Sequence, residues 1–319
     1  MTVLILARDF DPTADAVVQA LAERDIPVFR TDLQDFPRKL RMHAELCDGS
    51  WSGSLWNQHH EVDLAEVRAI WSRNPATYVF PETMTRAEQD LAFREAKLGL
   101  GGVLASLDVL WANHPNRCAD AIYKPYQWTV AVACGLDVAA TAITSDPASA
   151  ERFARRRPGH TITKALGPTG TADGDMVKVS FTRRLTEHDV ADLRGVAVTA
   201  TTLQEFVPKA FEVRLTVIGD SWFPIAIHAA NERAHTDWRS DPSALTYRFV
   251  PIPESVVAGV AEYMRHMCLA YAGFDFVVTL AGKWVMLEAN TGPQFGWLQA
   301  ETGAQMVAAM ADMLGKGKP

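Results

Sequence analysis

Gly273 to Leu298 reads GFDFVVTLAGKWVMLEANTGPQFGWL, and its two β runs decide how the rest of the chain is understood. Phe274, Phe276, Val278 and Leu280 alternate with Asp275, Val277 and Thr279; after Ala281-Gly282 a second run covers Trp284 to Asn290. A two-residue turn at Ala281-Gly282 pairs Leu280 with Lys283 and, counted back, sets Asp275 opposite Glu288. Asn290, two residues beyond Glu288, leaves the strand on the same face. Directly opposed residues hold their Cβ atoms about 4.5–5.5 Å apart, so two carboxylates and an amide oxygen converge on one patch. Like charges that close repel unless a cation lies between them. Hard oxygen donors on a rigid hairpin suit Mg²⁺, which keeps several waters and shares phosphate oxygens with its substrate. The alternative is an ordinary hairpin with a wet polar face, and the apolar residues flanking both carboxylates speak against it.

The chain around this hairpin has 319 residues, 48% hydrophobic and 22% charged, enough for two or three subdomains of ordinary globular composition. A net charge of −7 and a pI near 5.7 argue against a broad nucleic-acid-binding surface. The four cysteines form no CxxC pair, so neither a zinc knuckle nor a disulfide framework is indicated, and a reducing cytoplasm is the natural setting. The opening MTVLILARDFDP has no basic lead-in and reads as a first strand rather than a signal peptide. No apolar run approaches the roughly 18 residues needed to span a membrane.

Thr2 to Ala7 is a continuous apolar run, as in a buried parallel strand; Ala14 to Arg24 has helical spacing and Ile26 to Phe29 is a second strand. This is the βα unit of an open α/β sheet, without the GxGxxG of a classical dinucleotide site. Residues 38–63 alternate weakly as a hairpin, and Arg68 to Arg73 returns to a buried strand. Thr85 to Ala105 is a long helix opened by the Thr85/Glu88 capping spacing, and Val109 to Ala112 is a last short strand. The first domain is therefore expected over 1–112, a central α+β region over 113–190 and a C-terminal one over 191–319. In the central region a helix over Asn116 to Ala133 is expected to break after Lys124, followed by strands at Val138 to Thr144 and Thr161 to Ala165. Further on, Glu212 to Gly219 and Trp222 to Ala229 pair as strands, His228 to Asp241 is irregular, and helices cover Pro253 to Ala272 and Gln299 to Leu314.

Two features outside the hairpin carry chemistry. Arg73 closes a strand, and strand C-terminal ends line the crevice of an open α/β sheet; it is either a cation for a substrate carboxylate or a surface arginine. The loop Gly167 to Gly174 lies between two strands. Gly167, Gly170 and Gly174 let backbone N–H groups approach an anion, Thr169 and Thr171 add hydroxyls, and Lys164 supplies a point charge. It is not the GxxxxGK[ST] of a P-loop.

Taken in order, a lysine opening the central region, a strand lysine, a glycine loop, Glu205-Phe206-Val207, Glu212 seven residues after Glu205, and Asp275…Glu288-Ala289-Asn290 together resemble the ATP-grasp fold over the whole chain. The fold class expected is α/β and α+β, an ATP-grasp fold with an N-terminal open α/β (pre-ATP-grasp) domain. The resemblance implies that Lys124 and Lys164 contact ATP phosphates, with Gly170 and Thr171 in the phosphate loop. It further implies that the backbone of Glu205, Phe206 and Val207 reads the adenine, that Glu212 binds the ribose, and that Asp275, Glu288 and Asn290 hold two Mg²⁺. Arg239, with Arg214, would balance charge on the transferring phosphoryl group. Many amide ligases of this fold carry an arginine two residues before the metal-binding aspartate, where this chain has Gly273, and the leading role therefore passes to Arg239.

Within the fold, Trp71-Ser72-Arg73, Phe211-Glu212-Val213-Arg214, Asp237-Trp238-Arg239 and Gln294-Phe295-Gly296-Trp297 resemble the microviridin-type ligases, the graspetide maturases. That family implies ATP-dependent ring closure in a ribosomal precursor peptide, by way of an acyl phosphate on an Asp or Glu side chain. It also implies a homodimer. Arg73, Asp237 and His228 are the candidates for contact with the peptide. His228 and His235 are the candidates for accepting a hydroxyl proton. Two other readings stay open: a ligase adding a free amino acid to a carboxylate, and a nucleotide-binding regulator without turnover.

Overall fold

The computed structural model describes residues 1–167, 170–173 and 176–318, with backbone alone at 171–173 and 176–179. The N-terminal part is a parallel sheet in the order Val28–Thr31, Thr2–Ala7, Val67–Arg73, Leu110–Ala112. Thr2–Ala7 is buried along nearly its whole length because helices and loops cover both faces, which is why its sequence does not alternate. The expected hairpin at 38–63 is a three-stranded sheet of Arg41–Cys47, Ser50–Trp56 and Glu61–Asp63. The helix Arg86–Ala105 starts with the expected capping box, Thr85 and Glu88 each satisfying the other's backbone N–H.

The rest is built on two larger sheets. One has four strands in the order Arg183–Arg184, Thr161–Thr163, Thr201–Glu205, Thr141–Thr144. The other has six, in the order Leu245–Phe249, Ser221–Ala229, Phe211–Ile218, Tyr271–Val278, Trp284–Asn290, Asp137–Val138. Strand pairing runs across the boundary expected at 190. Thr201–Glu205 belongs to the four-stranded sheet, while Asp137–Val138 and the helix Lys124–Ala133 pack with the six-stranded one. One face of the six-stranded sheet is closed by the helix Glu254–His266, with Val213, Leu215, Phe274, Phe276 and Met286 against Val260, Tyr263 and Met264. The other face looks toward the four-stranded sheet across a cleft lined by residues of both.

Several expected boundaries shift for local reasons. The helix at 116–133 is two, Pro115–Ala121 and Lys124–Ala133, and the break precedes Lys124, because Pro125 is favoured in a first helical turn. The helix expected to reach Ala272 stops at His266, and Cys268 takes φ +51° before the strand from Tyr271 begins, so Gly273 lies inside a strand. The segment 228–241 holds a short helix, Glu232–Thr236, and a 3₁₀ turn, Trp238–Ser240. The terminal helix is two, Gly296–Thr302 and Met306–Lys316, separated by Gly303 at φ +70°. Among the described residues, no helix is long and apolar enough to cross a membrane.

Candidate active site

Asp275 pairs directly with Glu288, as the spacing predicts, but by a different route. The turn is three residues, Leu280 to Gly282: Thr279 N–H donates to Lys283 O at 2.9 Å, and Gly282 adopts φ +79°. That moves the register by one. A bulge moves it back, since Phe276 faces Met286 while Asp275 faces Glu288, leaving Leu287 as the extra residue. Bulges re-aim side chains beside functional sites, and this one lies at the carboxylate pair itself.

The two acids are held by different cations. Arg214, opposite Asp275 on the neighbouring strand, donates a fork of two hydrogen bonds to it, Nε to Oδ1 at 2.6 Å and Nη2 to Oδ2 at 3.1 Å. Lys124 reaches Glu288 Oε2 at 3.2 Å and the Leu166 carbonyl at 2.8 Å. Asn290 bridges the acids, its Nδ2 3.4 Å from Asp275 Oδ2 and 3.3 Å from Glu288 Oε1. Burial pushes the Asp275 carboxyl up, with Glu288 adding to the rise and Arg214 opposing it. At Glu288 burial also pushes up, but Lys124 and Lys164 outweigh it and the carboxyl sits below its ordinary value. No group of three or more His, Cys, Asp or Glu gathers among the described residues, so the donor set is two carboxylates and one amide.

From this cluster a cleft runs in two directions. On one side it is walled by Glu205, Phe206, Val207, Glu212, Asp237 and Arg239, with Lys164 at the centre. On the other it passes Lys124, Lys164, Gly167 and Asn290. Most of the residues singled out from sequence thus meet in one place. The Glu205 and Phe206 N–H groups are taken by the Ala140 and His160 carbonyls, at 2.8 and 2.7 Å. Of that trio, only the Val207 N–H has no partner among the described residues. Arg239 forms a fork with the buried Asp237, at 2.9 and 2.7 Å, and Thr182 N–H donates to the same carboxylate at 3.0 Å. Burial pushes Asp237 up, but these bonds prevail and its pKa lies below the ordinary value.

Other expectations are corrected. Arg73 is no surface arginine: it is 4% exposed, its Nη2 lies 3.5 Å from Asp11, and its buried Nε has no partner among the described residues. Its charge is already matched by Asp11, which leaves it poorly placed to meet a substrate carboxylate directly. His228 is on the wrong side of the sheet. Glu212 pairs with Ile227 and Arg214 with Asp275, so these share the cleft face; His228 points the other way and stacks on Phe211, ring centroids 5.0 Å apart. Burial, with Arg248, lowers its pKa. We expect His228→Ala to leave turnover within about twofold and to cost about 1 kcal/mol of stability, a typical value for a packed side chain; steady-state kinetics and thermal melts check both. His235 lies on the short helix Glu232–Thr236, its pKa lowered by burial and by the cations of Lys209 and Arg184. Gly170 opens a two-stranded hairpin, Gly170–Asp173 with Met176–Val179, where a loop was expected. The Thr171 side chain, Thr169 and Gly174 lie outside the described residues.

One residue and two aromatic contacts escaped the sequence reading. Lys209 is buried and pairs with Glu212, which burial pushes up in pKa; the three-residue spacing between them was the available signal. Trp238 stacks on Trp297 at 5.4 Å, and Trp71 stacks on Phe295 at 6.5 Å. These contacts join the Trp71, Asp237–Arg239 and Gln294–Trp297 segments that drew attention separately. Gly273 explains its own identity: a Cβ there would lie 2.7 Å from Pro293 Cβ and 3.4 Å from Arg214 Nη1. An arginine cannot stand at 273, and Arg214 fills that space from the adjacent strand.

Comparison with known proteins agrees with this geometry. Residues 2–118 match the MvdD pre-ATP grasp domain. The macrocyclase MdnC from Microcystis aeruginosa MRC, solved bound with precursor peptide MdnA, is 25% identical, with a TM-score of 0.85 over 99% of this chain and 100% of that one. A Chryseobacterium gregarium RiPP-associated ATP-grasp ligase, in complex with ADP and a leader and core peptide, is 22% identical, with a TM-score of 0.90 over 99% of this chain and 96% of that one. The ATP-grasp ligase PsnB, complexed with a phosphomimetic variant of its minimal precursor, Mg and ADP, is 22% identical, with a TM-score of 0.77 over 99% and 97%. No curated protein matches the sequence. With an MvdD-type pre-ATP-grasp domain leading into the ATP-grasp fold, the protein is an ATP-dependent ligase similar to the ligases that act on ribosomal precursor peptides.

Proposed function

We propose that this ligase closes rings in a ribosomally made precursor peptide by activating Asp or Glu side chains with ATP. The observation that carries the reading is the opposed Asp275/Glu288 pair with Asn290, set in a cleft that also holds the cations of Lys124, Lys164, Arg214 and Arg239. Phosphorylating a carboxylate brings two anions together, and a site rich in fixed cations offsets that repulsion by electrostatics and positioning.

The placement of the side chains supports the following roles. Val207 N–H, which has no partner among the described residues, meets the adenine, and Glu212 with Lys209 the ribose. Lys124 and Lys164 hold phosphate oxygens. The hard oxygens of Asp275, Glu288 and Asn290, the last with its amide turned over, fit Mg²⁺, two ions in this reading. Bound there, the metal would neutralise phosphate oxygens. Arg214 and Arg239 face the phosphoryl group in transfer. The γ-phosphoryl passes to a side-chain carboxylate oxygen, releasing ADP. A Ser or Thr hydroxyl, or a Lys amine, of the same peptide then attacks the acyl carbon. The new C–O or C–N bond forms as the bond to phosphate breaks, and the proton leaves with phosphate or solvent. The setting is cytoplasmic, where ATP is present and the four free cysteines stay reduced. A homodimer belongs to the same reading and is checked by sedimentation.

The test is intact-mass spectrometry of a Thr/Ser/Asp/Glu-rich precursor after incubation with the protein, ATP and Mg²⁺. Loss of one water per ring, with ADP formed, is the expected result. A gain of one amino-acid residue when free amino acids are supplied would replace the reading with that of a free-amino-acid ligase.

Lys164 makes the nucleotide site pH-dependent. Burial pushes its pKa down to about 8, with Glu288 opposing and Lys124 assisting. It is charged below that pH and neutral above, so its attraction for phosphate fades as pH rises through 8. We expect ATP affinity, measured by calorimetry, to weaken between pH 7 and 9. In Lys164→Arg, whose side chain stays charged throughout, the slope should flatten. Equal wild-type affinity at both pH values would overturn the assignment.

A further inference from the structure

Asn113 lies just after the last strand of the N-terminal sheet and is 3% exposed. Its Oδ1 accepts from Ala270 N–H at 2.7 Å and Tyr271 N–H at 3.1 Å. Its Nδ2 donates to Tyr271 O at 2.6 Å and Thr291 O at 2.7 Å. Two donors and two acceptor positions are all that an amide side chain has, and all four are used on backbone groups. None of these bonds serves a helix or a turn of Asn113's own segment.

What they join is specific. Tyr271 begins the strand that carries Asp275, and Thr291 follows Asn290 directly. The ladder between the two strands ends at the Gly273–Asn290 pair. Beyond it the strands separate, and the Asn113 amide supplies the bridge that the ladder no longer gives. The open end of the hairpin that carries Asp275 and Glu288 is thus tied by the Asn113 amide, beside the Tyr271 hydroxyl, which donates to the Pro293 carbonyl, and Asn113 comes from the junction with the N-terminal domain. At the other end the hairpin is closed by its turn. Asp275 and Asn290 lie on the segment between, nearer the Asn113 end.

We propose that Asn113 is a positioning residue for the Asp275/Glu288/Asn290 cluster: it fixes the spacing of the two strands and, through it, the affinity of the cluster for a divalent cation. The proposal rests on the reading of that cluster as a cation site. Groups that orient metal ligands are typically worth about 10–100-fold in metal affinity when removed. Asn113→Asp keeps the acceptor for Ala270 and Tyr271 but sets an anion against two carbonyls. Asn113→Ser leaves room for water to serve the same backbone groups and guards against a variant that does not fold.

The experiment uses the full chain with Mn²⁺ as the probe, its binding followed by electron paramagnetic resonance in the presence of ADP. ADP affinity without metal and near-ultraviolet circular dichroism are measured alongside. In whichever variants fold, Mn²⁺ affinity should fall about tenfold or more, with metal-free ADP affinity unchanged. Wild-type Mn²⁺ affinity in a folded Asn113→Ser variant would overturn the proposal, as would loss that tracks only the unfolded fraction. Glu288→Gln is the control: if it binds Mn²⁺ as wild type does, the cation-site reading fails, whereas normal loss there with no loss at Asn113 sinks only the role of Asn113.

Discussion

Glu288→Gln should lower ATP-dependent turnover by about a thousandfold, the scale of removing one well-placed electrostatic group from a catalytic centre, while the protein stays folded. Glu288 is the better of the two acids to test. Its charge is met by Lys124, which keeps the Leu166 carbonyl as a partner when the carboxylate is gone. The cost in stability is about 1–2 kcal/mol for a charge-assisted bond in a partly exposed site, partly offset because Asp275 loses a like-charged neighbour. Asp275→Ala is a poorer probe. Arg214 is buried against Asp275 by two hydrogen bonds, and removing one partner of a buried pair costs about 3–5 kcal/mol. A dead Asp275→Ala variant could therefore be a damaged fold, which a melting curve would reveal. Turnover is read as ADP release with peptide present. Glu288→Gln activity within tenfold of wild type would sink the metal assignment.

The hairpin marks how far periodicity reaches. Alternation along 274–280 and the run 284–290 fixed two strands, and the acids faced each other as counted. Yet the count used the wrong turn, and a bulge at Leu287 repaired it. A bulge leaves no mark in hydrophobic periodicity when the extra residue is itself apolar. His228 failed for a related reason: one residue's difference along a strand changes the face, and nothing in the sequence set its register against Glu212 until both strands were paired. Arg73 was placed correctly at a strand end, but its partner Asp11 lies on another segment, and burial of a charge by a distant residue has no local signature. Asn113 follows the strand that ends at Ala112 and belongs to no motif. Its four hydrogen bonds reach residues more than 150 positions away, a distance at which pattern carries no information.

Arg214→Lys should cost about 100- to 1,000-fold in kcat/KM, although the charge is kept. The reason begins at Gly273. The space where a side chain at 273 would start is filled by Pro293 and the Arg214 guanidinium, so the cation that the resemblance leads one to expect at 273 stands on the neighbouring strand instead. A guanidinium presents a planar fork that holds both oxygens of Asp275 and still offers N–H groups to the cleft. A lysine gives one point charge, which bonds Asp275 or the phosphoryl group but cannot orient both. Asp275 would then lose its alignment as well as half its hydrogen bonds. Restoring the arginine by Gly273→Arg should not rescue Arg214→Lys, because its Cβ would still meet Pro293 at 2.7 Å. Arg239 offers the contrast. Its fork is spent on Asp237 and its side chain is 42% exposed, so Arg239→Lys should cost only about tenfold, roughly 1.4 kcal/mol. Kinetics of both variants at saturating ATP and peptide decide the order. A larger loss at Arg239 than at Arg214 would return the phosphoryl-stabilising role to Arg239 and leave Arg214 as the support of Asp275 alone.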